Sequence, residues 1–419
     1  VFFAAGDPAM PAVREAMGEL LAHRRAQAAR THERCFQEYA GKRGYLPGES
    51  KREFLTRHGA RPGTANPQKM PYYLLLVGSP EEIPWSFQSE LDVQYAVGRI
   101  CFDTPQEYAA YAQSVVAAET SRPLRRRRVV VFAPHHHGDV TTQLSARDIA
   151  IPLAEHLIRR WPDWEIATAF GEQATKARLA SLVDGDDLAA LLFTAGHGLG
   201  YPSGHPLQRG RQGALLCQDF PGVGCGGRVA HEHCFAADDV ANDARLHGLV
   251  TFHLACYSAG APAVGEFPPG LDPPRARVAP RAFLSRLAQR LVGHRRGGAL
   301  AVVGQIEKPW PLALEWPGAS CSLPAFAEAF DRLADGKPVG YAMAAFGERH
   351  AAFASDLAAE LEVVRCGVPP DDETLSRLWA VRNDCRHYVV IGDPAVRLAI
   401  DIEPNPCAEL DWMPGAAVN

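Results

Sequence analysis

A histidine and a cysteine each stand where an apolar run stops. In LLFTAGHGLGYP, residues 191–202, the run Leu191-Leu192-Phe193 ends in Thr-Ala-Gly and releases His197 between two glycines. In GLVTFHLACYSAGAP, residues 248–262, a second run ends in Ala255-Cys256 before small residues. Imidazole exchanges protons near neutral pH, cysteine is an effective nucleophile, and glycine lets a backbone approach a ligand closely. These are the parts of nucleophilic acyl transfer. Singly, each has a plainer account: His197 as a solvated turn residue and Cys256 as an apolar filler. Their joint occurrence at two strand ends favours chemistry, because parallel strands open onto one crevice at their carboxyl ends.

Elements that could position the pair recur along the chain. Apolar runs alternate with amphipathic stretches, the pattern of α/β architecture. Strands are expected at 1–4, 72–77, 93–100, 128–133, 164–169, 188–194, 249–255, 299–303 and 388–391, and helices near 10–30, 142–160, 174–183, 281–292, 323–334 and 374–385. Thr104 reads as a helix cap with Pro105 at the first helical position. Strands this apolar are buried on both faces, which implies a parallel sheet between helices. The segment GKRGYLPGESKREFLTRHGARPGTANPQK, rich in Gly, Pro and charge, reads as a long surface excursion. A domain boundary is placed near Pro123.

The 419 residues carry 43 basic and 48 acidic side chains, a net charge of −5 that gives no global pull toward nucleic acid or membrane. No apolar stretch has membrane-spanning length, and VFFAAGDPAMPAV lacks the form of a secretory signal. Ten scattered cysteines are not the dense framework of a small secreted domain, so reduced thiols and a cytoplasmic location are expected. The block Arg125–Arg128 is read as a solvated boundary, with nucleic-acid binding as the alternative. Cys225, His231, His233 and Cys234 lack paired zinc-ligand spacing, and His135-His136-His137 reads as a solvated loop. No metal and no cofactor are expected.

The histidine-glycine and alanine-cysteine strand ends resemble those of the caspase-like (clan CD) cysteine peptidases, with the closest likeness to gingipain-type and CHAT-related bacterial members. YYLLLVGSPEEIP, YAVGRICFDTPQEY, GALAVVGQIEKPW and YVVIGDPAVRLAI add to the resemblance, which covers most of residues 72–400. It implies a three-layer caspase-like sandwich with a mostly parallel central sheet in residues 123–402. A smaller N-terminal α/β subdomain, 1–122, and a tail, 403–419, would flank it. It further implies a cysteine endopeptidase in which Cys256 attacks the scissile carbonyl, His197 moves the proton, and the amides of Gly198 and Cys256 hold the oxyanion. Substrates would be proteins or peptides cut after Arg or Lys. Asp139 is the first candidate to bind that side chain and Asp239 the second. Asp139 could instead cap the helix that follows, and Arg147 keeps a caspase-type preference for acidic residues open. Trp310 lines the cleft or packs in the core. Arg209 and Arg211 mark a candidate processing site. An upstream activator and a bacterial defence or cell-death role fit the resemblance, and an inactive caspase-like binding module is the competing reading.

Overall fold

The computed structural model describes residues 1–61, 63, 65–121, 125–185, 187–222, 229–266, 277–308 and 322–400. Pro123, Cys225, Trp310 and the segment 403–419 lie outside them.

Nine strands form one sheet: β1 (Phe2–Phe3), β2 (Tyr73–Val77), β3 (Ala96–Ile100), β4 (Arg126–Ala133), β5 (Glu165–Phe170), β6 (Ala189–Ala195), β7 (Val250–Leu254), β8 (Ala301–Gln305) and β9 (Tyr388–Gly392). Their order is β1-β2-β3-β9-β8-β7-β6-β4-β5. Every pairing is parallel except β8 with β9. The sheet is therefore two parallel blocks that run in opposite directions and meet at that one antiparallel seam. Val129 to Ala133, all of β6 and all of β7 are buried, as expected of strands covered on both faces.

The flanking helices are α1 (Met10–Ala16), α2 (Gly18–Ala29), α3 (Lys51–Arg57), α4 (Trp85–Asp92), α5 (Pro105–Thr120), α6 (Val140–Ser145), α7 (Ile151–Arg160), α8 (Lys176–Asp184), α9 (Arg286–Val292), α10 (Ser322–Ala334), α11 (Ala344–Arg365) and α12 (Asp372–His387). Thr104 caps α5 as its sequence promises, and Glu107 closes the capping box. The closing Gly392-Asp393-Pro394 turn works as a clasp. The Asp393 carboxylate accepts from Arg24 Nε of α2 at 2.7 Å, and the Tyr111 hydroxyl of α5 donates to the Leu300 carbonyl at 2.8 Å while receiving the Asp393 amide.

Three local expectations are corrected. The supposed surface excursion contains α3, whose Ser50–Glu53 capping box starts a helix that buries Phe54 and Leu55. Phe54 packs on Phe2, Tyr39 and Phe87 in a second core beside β1 and β2. The arginine block is not a solvated boundary. Arg125 is buried and donates to the backbone carbonyls of His247 and Arg245, and Arg128 pairs with Glu165 and Asp187. Of the four, Arg126 is the exposed one, which leaves little of the basic patch that the nucleic-acid alternative needed. His136 is buried too, its Nε2 on the Cys217 carbonyl at 3.0 Å.

A buried aromatic truncated to alanine loses 3–5 kcal/mol. Phe54→Ala is therefore expected to destabilise the protein by about 3–5 kcal/mol, read as a lowered urea midpoint. A change below about 0.5 kcal/mol, the scale of a surface substitution, would return residues 41–69 to the surface.

Candidate active site

Neighbouring strands bring the two chemical residues together. β6 and β7 pair in parallel with Ala195 opposite Leu254, and the Gly196 amide donates to the Leu254 carbonyl at 3.0 Å. His197 and Cys256 are thus the next residues out at the same edge. A short antiparallel ribbon, Leu215–Leu216 with Cys234–Phe235, pins the histidine side: the Leu216 amide donates to the His197 carbonyl at 2.9 Å.

The glycine after the histidine is sterically required. A side chain at Gly198 would collide with the Cys256 carbonyl and lie 2.9 Å from the Cys256 nitrogen. Gly213 meets the backbone of Tyr257 in the same way, at a φ of +84°. Tyr257 itself holds a φ of +58°, a left-handed conformation that costs a bulky residue on the order of 1–3 kcal/mol and clusters at functional sites. The cysteine loop is thus held in a strained shape by close backbone packing.

Burial pushes the Cys256 thiol up to about 11, opposed by hydrogen bonds from the Gly198 amide and from its own amide. The resting sulfur is therefore a neutral thiol that needs a base. The same two amides lie at the sulfur, where an attacked carbonyl oxygen would come.

Asp139 supplies an orienting group that inspection of the sequence did not find. Its Oδ1 accepts from the amides of Thr141 and Thr142 at the start of α6, so it does cap that helix. Its Oδ2 lies 2.6 Å from His197 Nε2. A carboxylate can only accept, so Nε2 carries the proton and Nδ1 of the neutral ring is left as an acceptor. Nδ1 has no hydrogen-bond partner among the described residues. Both oxygens of Asp139 are thereby engaged within the protein. The signal in the sequence was the cap pattern, Asp139 before Thr141-Thr142, at the end of a strand adjacent to that of His197.

The second candidate, Asp239, is also engaged: Lys176 Nζ lies 2.7 Å from Oδ1, His231 pairs with the same oxygen, and Oδ2 accepts from the Ala236 amide. Arg147 is exposed and paired with Asp148. Arg209 stacks on Phe283, and Arg211 closes a short helix, Gln208–Arg211. Among the described residues no group of three His, Cys, Asp or Glu side chains converges as a metal site.

A different acid stands near the nucleophile. Asp384, on α12, lies within electrostatic range of Cys256 and accepts from Gln305 Nε2 at 3.2 Å. Gln305 ends β8, is fully buried, and its Oε1 has no partner. Burial raises the Asp384 carboxyl to about 6, against the pull of His387 and Arg349. Nothing in the local sequence marks it, since α12 is an ordinary amphipathic helix until β9 docks its end at the seam.

The model of peptidase family C25 matches residues 14–399. The chain belongs to peptidase family C25. It is a caspase-like, gingipain-related cysteine-type peptidase. Among solved structures, the complex of Porphyromonas gingivalis RgpB pro- and mature domains superposes with a TM-score of 0.52 at 11% identity, covering 96% of this chain and 80% of that one. A second solved structure, of a protease, gives 0.50 at 11% identity, covering 95% and 77%. At such identities the likeness concerns the fold. Among curated proteins there is no significant match. In this C25 chain, no helix among the described residues is long and apolar enough to cross a membrane.

If the resting thiol is neutral, alkylation of Cys256 by iodoacetamide, followed by peptide mass mapping, rises steadily from pH 7 to pH 10. A rate already level below pH 7 would reveal a preformed thiolate and contradict the buried-thiol account.

Proposed function

We propose that this C25 peptidase is an endopeptidase that cuts after Arg or Lys through Cys256 and His197, with Asp139 orienting the imidazole. The observation that carries the reading is the Gly198 backbone lodged against that of Cys256, with Asp139 on Nε2 of His197. On substrate binding, Nδ1 of His197 takes the Cys256 proton and the sulfur attacks the scissile carbonyl carbon. The amides of Gly198 and Cys256 receive the developing oxyanion, a contribution worth about 10²–10³ in rate per donor. The imidazolium, held by Asp139, gives its proton to the leaving amine. Water, deprotonated by the same ring, then hydrolyses the thioester and restores the thiol.

Asp384 is assigned to the first subsite. Its carboxylate and the unpartnered Gln305 Oε1 are acceptors suited to a many-donor cation. Asp139 and Asp239, whose oxygens are occupied, are not given that role. A cytoplasmic site rests on the scattered cysteine usage, and none of the seven described cysteines is in a disulfide. A regulated role in bacterial defence or cell death, with an upstream activator, rests on the family resemblance. The inactive-scaffold reading is the less favoured because His197 and Cys256 share one strand edge and His197 has Asp139 as a partner.

The deciding experiment is a fluorogenic peptide panel varied at the residue before the cut. Turnover of Arg or Lys peptides that vanishes in Cys256→Ala supports the reading, and no turnover by the wild type overturns it. Asp139→Asn should lower kcat by about 10²- to 10⁴-fold with KM for the Arg peptide changed little. A raised KM with kcat intact would make Asp139 a substrate-binding group instead.

Asp384 also predicts a pH effect. Its raised carboxyl is charged above about 6 and neutral below it, so KM for an Arg peptide should rise several-fold as pH falls from 7 to 5. A citrulline peptide, and Asp384→Asn with either peptide, should show no such rise. A rise shared by both peptides would remove Asp384 from the subsite.

A further inference from the structure

Apart from Asp384 near its base, the long helical pair α11–α12 has no part in the chemistry above, yet that base stands at the catalytic edge. Tyr388, immediately after α12, pairs with Gln305 at the end of β8. Arg386 and His387 at the end of α12 bind Glu266, ten residues beyond Cys256, with His387 Nε2 3.0 Å from the carboxylate. At the other foot, Phe346 of α11 packs against Phe252, Phe326 and Tyr388. From there the pair leaves the body. α11 is 22 residues long, about 33 Å at 1.5 Å per residue. Between 354 and 377 only Leu357 is buried.

What this arm exposes is uneven. Between 351 and 377 lie six carboxylates, Asp356, Glu360, Glu362, Asp371, Asp372 and Glu373, and two arginines, Arg365 and Arg377. That stretch carries −4 of the chain's net −5. Both arginines pair within the arm, Arg365 with Glu362 and Arg377 with Glu373. Asp356, Glu360 and Asp372 have no ion pair among the described residues. Leu361, Val363 and Val368 are about half exposed beside them (46%, 46% and 51%). A surface both acidic and apolar is complementary to a cationic polypeptide.

We propose that α11–α12 is a docking arm that captures Lys/Arg-rich protein substrates and delivers them to Cys256. This rests on the reading that the groove cuts after basic residues. A charged arm of this kind raises the local concentration and on-rate of an oppositely charged partner, by 10- to 10³-fold in strong cases, and loses that effect in salt. It leaves the chemical step alone, so a tripeptide too short to reach the arm should be indifferent to it.

The test uses the triple variant Asp356→Asn, Glu360→Gln, Asp372→Asn, which touches no catalytic or capping residue. Two readouts are taken: binding of a fluorescein-labelled lysine-rich histone to Cys256→Ala protein, by anisotropy, and tripeptide turnover by protein with Cys256 intact. The triple variant should weaken histone binding about 3- to 10-fold in 20 mM salt, lose most of that difference in 300 mM salt, and turn over the tripeptide at the wild-type rate. Histone binding unchanged within twofold overturns the arm, as does a parallel loss of tripeptide turnover. If the wild type cleaves no tripeptide, the peptidase assignment after basic residues fails separately, while the anisotropy still decides whether the arm binds cationic protein.

Discussion

Everything at the active site depends on the spacing of two adjacent parallel strands. Hydrogen bonding between β6 and β7 holds the strand ends a single inter-strand step apart, and at that separation the residue after His197 runs into the backbone of Cys256. Only glycine fits. The same absence of a side chain leaves the Gly198 amide at the Cys256 sulfur, where the proposed mechanism gives it the oxyanion. The positive φ of Tyr257 shows that the cysteine loop is held against its local preference, which only a rigid surround can sustain.

That surround is asymmetric. On the histidine side, Asp139 ends the excursion from β4 and binds both a helix start and the imidazole, so α6 and the catalytic ring share one anchor. On the cysteine side, Gln305 at the end of β8 donates to Asp384 near the end of α12. The two meet because β9 reverses direction against β8. The reversal carries a helix end to the edge where the other block delivers its strand tips. The antiparallel seam therefore does more than join two blocks, since it brings an acid and a projecting helical pair to the catalytic edge.

The electrostatics follow the same division. Burial keeps the Cys256 thiol protonated and raises the Asp384 carboxyl to about 6. The chain's net negative charge lies largely on the outer parts of α11 and α12.

Much of this was legible in the residues. Continuous apolar runs determined the strands, because a strand buried on both faces has no polar alternation to hide it. The Thr104-Pro105-Glu107 cap determined the start of α5, and the His-Gly and Ala-Cys strand ends marked the reactive pair through their bareness. Other features became visible only in three dimensions. α11 went unread because an alanine-rich helix with few core contacts has little periodicity. The α3 region looked like surface because its cap and glycines outnumber Phe54 and Leu55. Arg125 looked solvated because burial of a guanidinium depends on backbone carbonyls from distant segments. The partners of Asp139 and Asp384 also waited on the tertiary structure: a carboxylate's partner is whatever the fold sets beside it, and residues 58 positions apart (Asp139 and His197) or 79 apart (Gln305 and Asp384) meet only once the strands have paired.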